Sequence, residues 1–243
     1  MALPTLNNPT YTLTLPSTGE KIKYRPFLVK EEKILLMATE SDDPKDMVRS
    51  LKQIAENCTM GKFNPEEYPM FDLEYIFLNL RAKSVGEVAE PVFTPADCDK
   101  PVTLHVDLSK VEVVKAENHT NKVKLTDTIG LIMNYPSLDQ AEEIDPKVGV
   151  DDPDFALEVI VNCIDSIYDW DQMFSGKDHT KRELIDFVEN LTQEQFLKIS
   201  EFFETMPKIR YTTKYKCPCS GEEKEITLSG LQDFFGSPSA TTV

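Results

Sequence analysis

The sequence predicts an α+β fold that is mainly helical, and three groups of strand-like residues interrupt the helical pattern. Apolar residues alternate in an N-terminal β-hairpin, valines mark a second β section near 90–115, and two short strands form a C-terminal β element. Between these sections, apolar residues recur at helical spacing. Of the 243 residues, 40 % are hydrophobic and 28 % are charged, which is typical of a globular protein.

The first half of the chain has the clearest local signals. Residues 10–29 alternate on both sides of the turn from Pro16 to Glu20, which predicts the hairpin. Apolar spacing then predicts three helices: one at 30–39, one that follows a cap at 41–44 and ends near 58–61, and one at 71–83. Prolines bound short strand-like runs from residue 87 to 113.

The second half is predicted to be helical and rich in loops. Thr180 and Thr192 each begin a capping box, and each box precedes a helix. The pattern predicts other helices at 126–134, 155–167 and 231–235, strands at 209–213 and 225–228, and an acidic loop at 139–154. The predicted domains are 1–116 and 117–236, followed by a flexible tail at 237–243.

Charge and composition disfavour several classes of protein. Lys and Arg number 26 and Asp and Glu number 42, which gives a net charge of −16. An acidic surface repels phosphate backbones and anionic lipids, so we expect neither nucleic acid nor a membrane as partner. The N-terminus does not have the pattern of a signal peptide. The five scattered cysteines therefore predict free thiols in a reducing cytoplasm.

Catalytic and cofactor motifs are missing from the sequence. It contains no phosphate-binding glycine loop, no GxSxG and no HExxH, and only three histidines. We therefore expect no enzyme and no cofactor. A zinc site is a weaker hypothesis, built on Cys217 and Cys219 at a predicted turn, with Cys98 as a third ligand and His105 as an optional fourth. The alternative is a pair of turn cysteines that bind nothing, since one intervening residue is a tight spacing for two zinc ligands.

Aromatic residues concentrate in the last sixty residues. Phe202 is next to Phe203, and Phe234 is next to Phe235. Neighbouring helix positions point about 100° apart, so one core rarely buries both rings. Two interpretations stay open: part of this apolar surface binds a partner, or each pair belongs to a wide amphipathic face.

Two long strings of residues are specific enough to compare with known families. Arg25 to Leu36 reads RPFLVKEEKILL, and Phe71 to Glu87 reads FDLEYIFLNLRAKSVGE. Together with the turn at Leu15–Gly19 and the segments Phe196–Pro207 and Gly230–Phe235, they resemble the T-even-type phage baseplate hub assembly protein family. The resemblance keeps the same order along nearly the whole chain.

The resemblance implies a non-enzymatic tail protein of a contractile-tailed phage. Such a protein is made in the host cytoplasm, acts in building the central hub of the baseplate, and is expected there or in the virion tail. Its partners would be other baseplate hub proteins or the tape-measure protein. Charged and aromatic residues of the two strings are partner-binding candidates, namely Arg25, Phe27, Lys30, Arg81 and Lys83. The alternative is that Arg81 and Lys83 serve the end of their helix.

Two rival functions accompany this hypothesis. One is a chaperone that masks the tape-measure protein and is absent from the mature virion, because apolar surface combined with high charge suits a holdase. The other is a binding module built around zinc at Cys217 and Cys219.

Overall fold

The computed structural model describes residues 7–41, 44–137 and 153–235. They divide into two compact units: the first combines the residues up to Val114 with those from Lys208 onward, and the second runs from Lys115 to Pro207. The sequence predicts a boundary near residue 116 but assigns the C-terminal β element to the second unit. Of the predicted acidic loop at 139–154, only residues 153 and 154 are described, and the predicted tail at 237–243 lies wholly outside the described residues.

The first unit begins with the predicted hairpin and helices. Strands β1 (Tyr11–Thr14) and β2 (Lys21–Tyr24) pair antiparallel, and Leu13 lies opposite Ile22 with both side chains buried. Asp72 connects this hairpin to the third helix, because its carboxylate accepts hydrogen bonds from the backbone N and the hydroxyl of Ser17. The three helices are α1 (Val29–Thr39), α2 (Pro44–Cys58) and α3 (Met70–Ser84).

Short strands follow α3 in the first unit and pair antiparallel. They are β3 (Val88–Ala89) with β6 (Val106–Asp107), and β4 (Val92–Phe93) with β5 (Val102–Thr103). A three-stranded sheet has the order β13-β12-β7. Its members and the helix that follows are β7 (Glu112–Val114), β12 (Lys208–Lys216), β13 (Glu223–Ser229) and α7 (Gly230–Phe235).

The sheet β13-β12-β7 explains why the C-terminal residues belong to the first unit. Ile209 of β12 lies opposite Val113 of β7, almost a hundred positions earlier in the chain. Ile209 and Leu228 of this sheet pack in one core with Leu78 of α3 and Phe234 of α7. Burying these side chains stabilises the unit by about 1.5–3 kcal/mol each, and no local sequence pattern reports such a distant pairing.

Glu74 of α3 lies where α7 begins. Its Oε1 accepts a hydrogen bond from the backbone N of Leu231 at 3.3 Å. Burial raises the pKa of Glu74 to about 7, against the smaller lowering effect of the Leu231 amide. The folded chain therefore keeps a proton here at pH values at which the unfolded chain has lost it.

We expect Glu74→Gln to stabilise the chain at pH 8 by about 2–3 kcal/mol, since glutamine keeps the hydrogen bond without a buried charge. A carboxyl whose folded pKa is raised destabilises the fold as the pH rises from about 4.5 through about 7. The free energy of unfolding of the variant should therefore equal that of the parent chain at pH 4 and exceed it at pH 8. Urea unfolding at both pH values measures this difference, and an equal stability at pH 8 would contradict the prediction.

The second unit contains an antiparallel sheet of the order β11-β10-β9-β8 with helices packed beside it. Its core contains Leu131 from the sheet, Leu184 and Phe202 from the helices, and neighbours of each. The elements are β8 (Lys122–Lys124), β9 (Ile129–Met133), α4 (Pro153–Asn162), β10 (Ile164–Asp169), β11 (Gln172–Ser175), α5 (Lys181–Glu189) and α6 (Gln193–Thr205).

This sheet makes the prediction of a mainly helical chain wrong. The fold is α+β, and strands as well as helices contribute to the core of each unit. The helix predicted at 126–134 is replaced by strand β9, and the helix predicted at 155–167 ends at Asn162 and gives way to β10. Short continuous apolar runs do not distinguish a buried strand from a buried helix. At Gly130 a Cβ atom would lie 2.5 Å from the backbone carbonyl oxygen of Val123 in β8, so a larger residue could not keep this strand pairing.

Predictions from local signals are confirmed elsewhere in the chain. Thr180 and Glu183 form the reciprocal hydrogen bonds of a capping box at the start of α5, as do Thr192 and Gln195 at the start of α6. The strands predicted at 209–213 and 225–228 lie within β12 and β13. The predicted C-terminal helical turn is α7.

Candidate interaction surfaces

Arg25 forms a buried ion pair at the start of α1. Its guanidinium donates to both carboxylate oxygens of Glu31, at 3.0 and 3.2 Å, and to the carbonyl of Pro26. Burial alone would raise the pKa of Glu31, but hydrogen bonds from Arg25 and from the Leu28 amide hold it below its usual value. Arg25 therefore has a structural role in the first unit, beside any role in binding.

Phe27 and Lys30, from the same string, differ in accessibility. The Phe27 ring packs 5.6 Å from that of Phe77, and its backbone N donates to Oγ of Ser84. The side chain of Lys30 is 64 % exposed, with Nζ at 3.5 Å from Glu31. Lys30 is therefore the more accessible of the two to a partner.

Arg81 and Lys83 lie in the last turn of α3, as the helix-end interpretation requires. Arg81 donates to the carbonyl of Gly86 at 3.4 Å, and burial lowers its pKa. Lys83 forms an ion pair with Glu87 at 2.6 Å and lies 5.6 Å from the centre of the Tyr11 ring. Cations at this position also interact favourably with the helix dipole.

The phenylalanine pairs lie in different units. Phe202 is buried in the second unit among His119, Tyr135 and Phe203, with Phe203 itself half-buried. Phe234 is buried in the core of the first unit. The side chain of Phe235 lies outside the described part of the chain. Each pair thus contributes at least one ring, Phe202 or Phe234, to the core of its unit.

The cysteines correct the expectation of five free thiols. Cys98 and Cys219 form a disulfide with a Cα–Cα distance of 5.8 Å, within the usual range. Cys58, Cys163 and Cys217 are free and buried. Hydrogen bonds from the backbone of Ser220 and Cys219 lower the pKa of the Cys217 thiol.

The zinc hypothesis receives no support from this geometry. With Cys98 and Cys219 bonded to each other, Cys217 is the one thiol of the predicted set that remains to bind metal. His105 instead lies 3.1 Å from Glu90. Among the residues that the structure describes, no group of three or more His, Cys, Asp or Glu side chains could hold a metal ion.

One exposed apolar surface lies on α1 and was not predicted. Val29, Leu36 and Met37 are all more than half exposed, and Val29 is 82 % exposed. Their spacing of seven and eight residues places them on one side of the helix. The sequence signal for this surface is that α1 has apolar residues on every side, more than one core-facing side can bury. In addition, Glu31 occupies a fully buried position of the same helix.

A second exposed apolar surface lies at the β10–β11 hairpin. Trp170, Met173 and Phe174 are exposed there, and Trp170 is 77 % exposed in the turn itself. We call these three residues the hairpin surface. The sequence offered one signal for it: the chain's single tryptophan stands between Asp169 and Asp171, where a core residue is not expected.

In the described ranges, the structure has no helix that is both long and apolar enough to cross a membrane. The two exposed apolar surfaces are instead of the kind that proteins use to contact one another.

The comparisons with known proteins agree with the resemblance in the motifs. A family model described as T4 bacteriophage base plate protein matches residues 8–236. Baseplate hub assembly protein gp26 of Enterobacteria phage T4 is 24 % identical over 221 residues, which cover 89 % of this chain and 94 % of that protein. No solved structure matches the chain significantly.

These matches identify the family to which the chain belongs and so test the three functions predicted from the sequence. They support neither the tape-measure chaperone nor the zinc module. The predicted family is confirmed, because the family model covers far more than half of the residues. The chain belongs to the T4 bacteriophage base plate protein family.

Proposed function

We propose that this chain helps to build the central hub of a contractile phage tail baseplate and acts by binding other baseplate proteins. The observation that carries the proposal is the match to a baseplate hub assembly protein along almost the full length of both chains. We place the chain in the host cytoplasm during assembly and at the tail baseplate afterwards.

The surface chemistry supports a binding role. Aromatic and methionine side chains are enriched at the energetic centres of protein interfaces, and Trp170, Met173 and Phe174 are exposed together. The net charge of −16 opposes contact between two copies of the chain, so these apolar residues can stay exposed until a partner arrives. Binding alone accounts for the proposed role, and we propose no enzymatic step.

A nonsense mutation in the gene of the parent phage tests the proposal. In a non-suppressing host, we expect infected cells to accumulate tail intermediates that lack a complete central hub, seen by electron microscopy of purified tails. Supplying the chain from a plasmid is the control and should restore plaques. Complete tails in the absence of the chain would overturn the proposal.

A further inference from the structure

We propose that the outer edge of β11 binds an extended apolar and basic segment of a baseplate partner, which adds to the sheet as a further strand beside Trp170. This inference rests on the proposed function in one respect: the bound segment is taken to belong to another baseplate protein.

The edge of β11 is accessible and unprotected. β11 is the first strand in the order β11-β10-β9-β8, and no strand of the described residues pairs with its outer side. In an antiparallel pair, alternate residues direct their N–H and C=O groups away from the partner strand. Proteins commonly shield such edges with lysine, proline or a bulge. β11 reads QMFS and pairs with β10 without a break in register, so it has none of these.

Trp170 lies in the turn that leads into β11 and has an unfavourable backbone conformation. It is the first residue of a two-residue turn, since Asp169 lies opposite Gln172. Its φ is +53°, a left-handed conformation that is rare for bulky residues, and its backbone N donates to the Thr128 carbonyl at 3.0 Å. Strained residues cluster at functional sites. A ring that is held in solvent by such a turn is suited to cover a bound segment.

A groove between α5 and one face of the sheet reaches β11 at Phe174 and defines the chemistry of a side chain that an added strand would place there. Its volume is about 320 Å³, and five of the eight side chains that line it are apolar, including Ile167 and Phe174. Its polar residues are Asp169, Glu183 and His179, and neither Lys nor Arg lines it. Hydrogen bonds from Thr180 hold the pKa of Glu183 below its usual value, so its carboxylate is ionised. An apolar side chain fits this lining, and a basic neighbour complements its rim.

A second copy of this chain is a poor occupant by the same argument. Two chains of net charge −16 repel each other, and pairing two β11 edges would bring their acidic rims together. A basic segment is instead attracted by the carboxylates of Asp169 and Glu183. Strand addition provides affinity through main-chain hydrogen bonds and specificity through pockets for alternate side chains.

The chain's single tryptophan provides a local measurement of binding. Overlapping twelve-residue peptides from the other baseplate proteins of the parent phage are titrated against the full chain, and Trp170 emission is recorded. We expect a subset of apolar, basic peptides to shift the emission to shorter wavelength. Backbone nitrogens of an added strand alternately face the edge and the solvent, so two complementary methylated forms of each peptide are compared. Methylation of the set that faces the edge should abolish the shift, because it removes hydrogen bonds and keeps the side chains.

A pair of matched variants locates the site. Met173→Lys places a charge on the edge, and Leu197→Lys makes the same change on α6 at a residue that is also 59 % exposed. We expect the first to weaken peptide binding at least about tenfold and the second to leave it unchanged. The proposal is overturned if no peptide shifts the emission, if both methylated forms of a peptide bind as well as the unmethylated one, or if the Met173→Lys variant binds peptides as well as the parent chain.

Two other outcomes distinguish the alternatives. A dimer in sedimentation that Met173→Lys dissolves would make a second copy the occupant and overturn the proposed partner. If the nonsense mutant arrests hub assembly but no peptide binds at the edge, the strand-addition inference fails and the proposed function remains. If the mutant builds complete tails, the proposed function fails whatever the peptides do.

Discussion

Arg25→Met is expected to destabilise the chain by about 3–5 kcal/mol, because the buried carboxylate of Glu31 loses the cation that contacts both of its oxygens. Glu31 is fully buried, and Arg25 is the group that contacts both of its oxygens. Replacing both residues with methionine should recover most of the loss, since two apolar side chains leave no unpaired charge. Urea unfolding at pH 7 of the single and double variants measures both effects.

Lys30 provides the matched control for Arg25. Its Nζ is also within 4 Å of Glu31, but its side chain is largely exposed. Exposed pairs contribute about 0–1 kcal/mol, so Lys30→Met should cost less than about 1 kcal/mol. Equal losses at Arg25 and Lys30 would contradict the account of a buried pair.

The acid stability of the chain should depend on the same pair. The pKa of Glu31 is depressed in the folded state, so its contribution is fully present above the ordinary value near 4.5 and is lost as the pH falls below it. The pH dependence from Glu74 has the opposite sign: because its pKa is raised in the folded state, it lowers the stability of the fold as the pH rises above about 4.5.

Reducing the disulfide should cost about 2–5 kcal/mol of stability. The bond joins residues 121 positions apart in the first unit, so it restricts a long loop of the unfolded chain. The double variant Cys98→Ser/Cys219→Ser should lose the same amount and no longer respond to reductant. Unfolding with and without reductant measures both chains.

A thiol count provides an independent check on the disulfide. The unfolded, unreduced chain should react with three equivalents of a thiol reagent, from Cys58, Cys163 and Cys217. Five equivalents in protein purified without reductant, with no effect of reductant on stability, would contradict the pairing of Cys98 with Cys219.

The elements that could be predicted from the sequence are those with local causes. The hairpin is marked by alternation and by Gly19, which has a φ of +73° in its turn. The helices α5 and α6 are preceded by Thr180 and Thr192. In each case the threonine and the residue three positions later exchange hydrogen bonds between their side chains and backbone N–H groups. Such signals lie within a few residues and need no knowledge of the rest of the fold.

The elements that escaped prediction depend on residues distant in sequence. β9 is the central partner of β8 and β10, and its identity as a strand comes from those pairings rather than from its own residues. The assignment of β12 to the first unit likewise comes from β7. Apolar content alone could not separate these strands from helices.

Among the candidate interaction residues, too, some could be named from the sequence and others only from the fold. Arg25 and Lys83 were singled out as charged members of specific strings, and the structure pairs both with carboxylates of their own unit. Their part in partner binding stays a prediction. Exposure of Trp170 could not be derived from its own residue type, because tryptophan is buried more often than not; it follows from the two-residue turn between β10 and β11.

Quantitative peptide mass spectrometry of purified tail intermediates and mature particles tests the central claim most directly. The account predicts peptides of this chain in intermediates of the central hub, at a constant ratio to the other hub proteins. We expect the same ratio in mature particles, because we place the chain at the tail baseplate after assembly. Its loss from mature particles would instead make it an assembly factor that leaves. Absence of the chain from every hub intermediate and from the particles would contradict a role in building the baseplate hub.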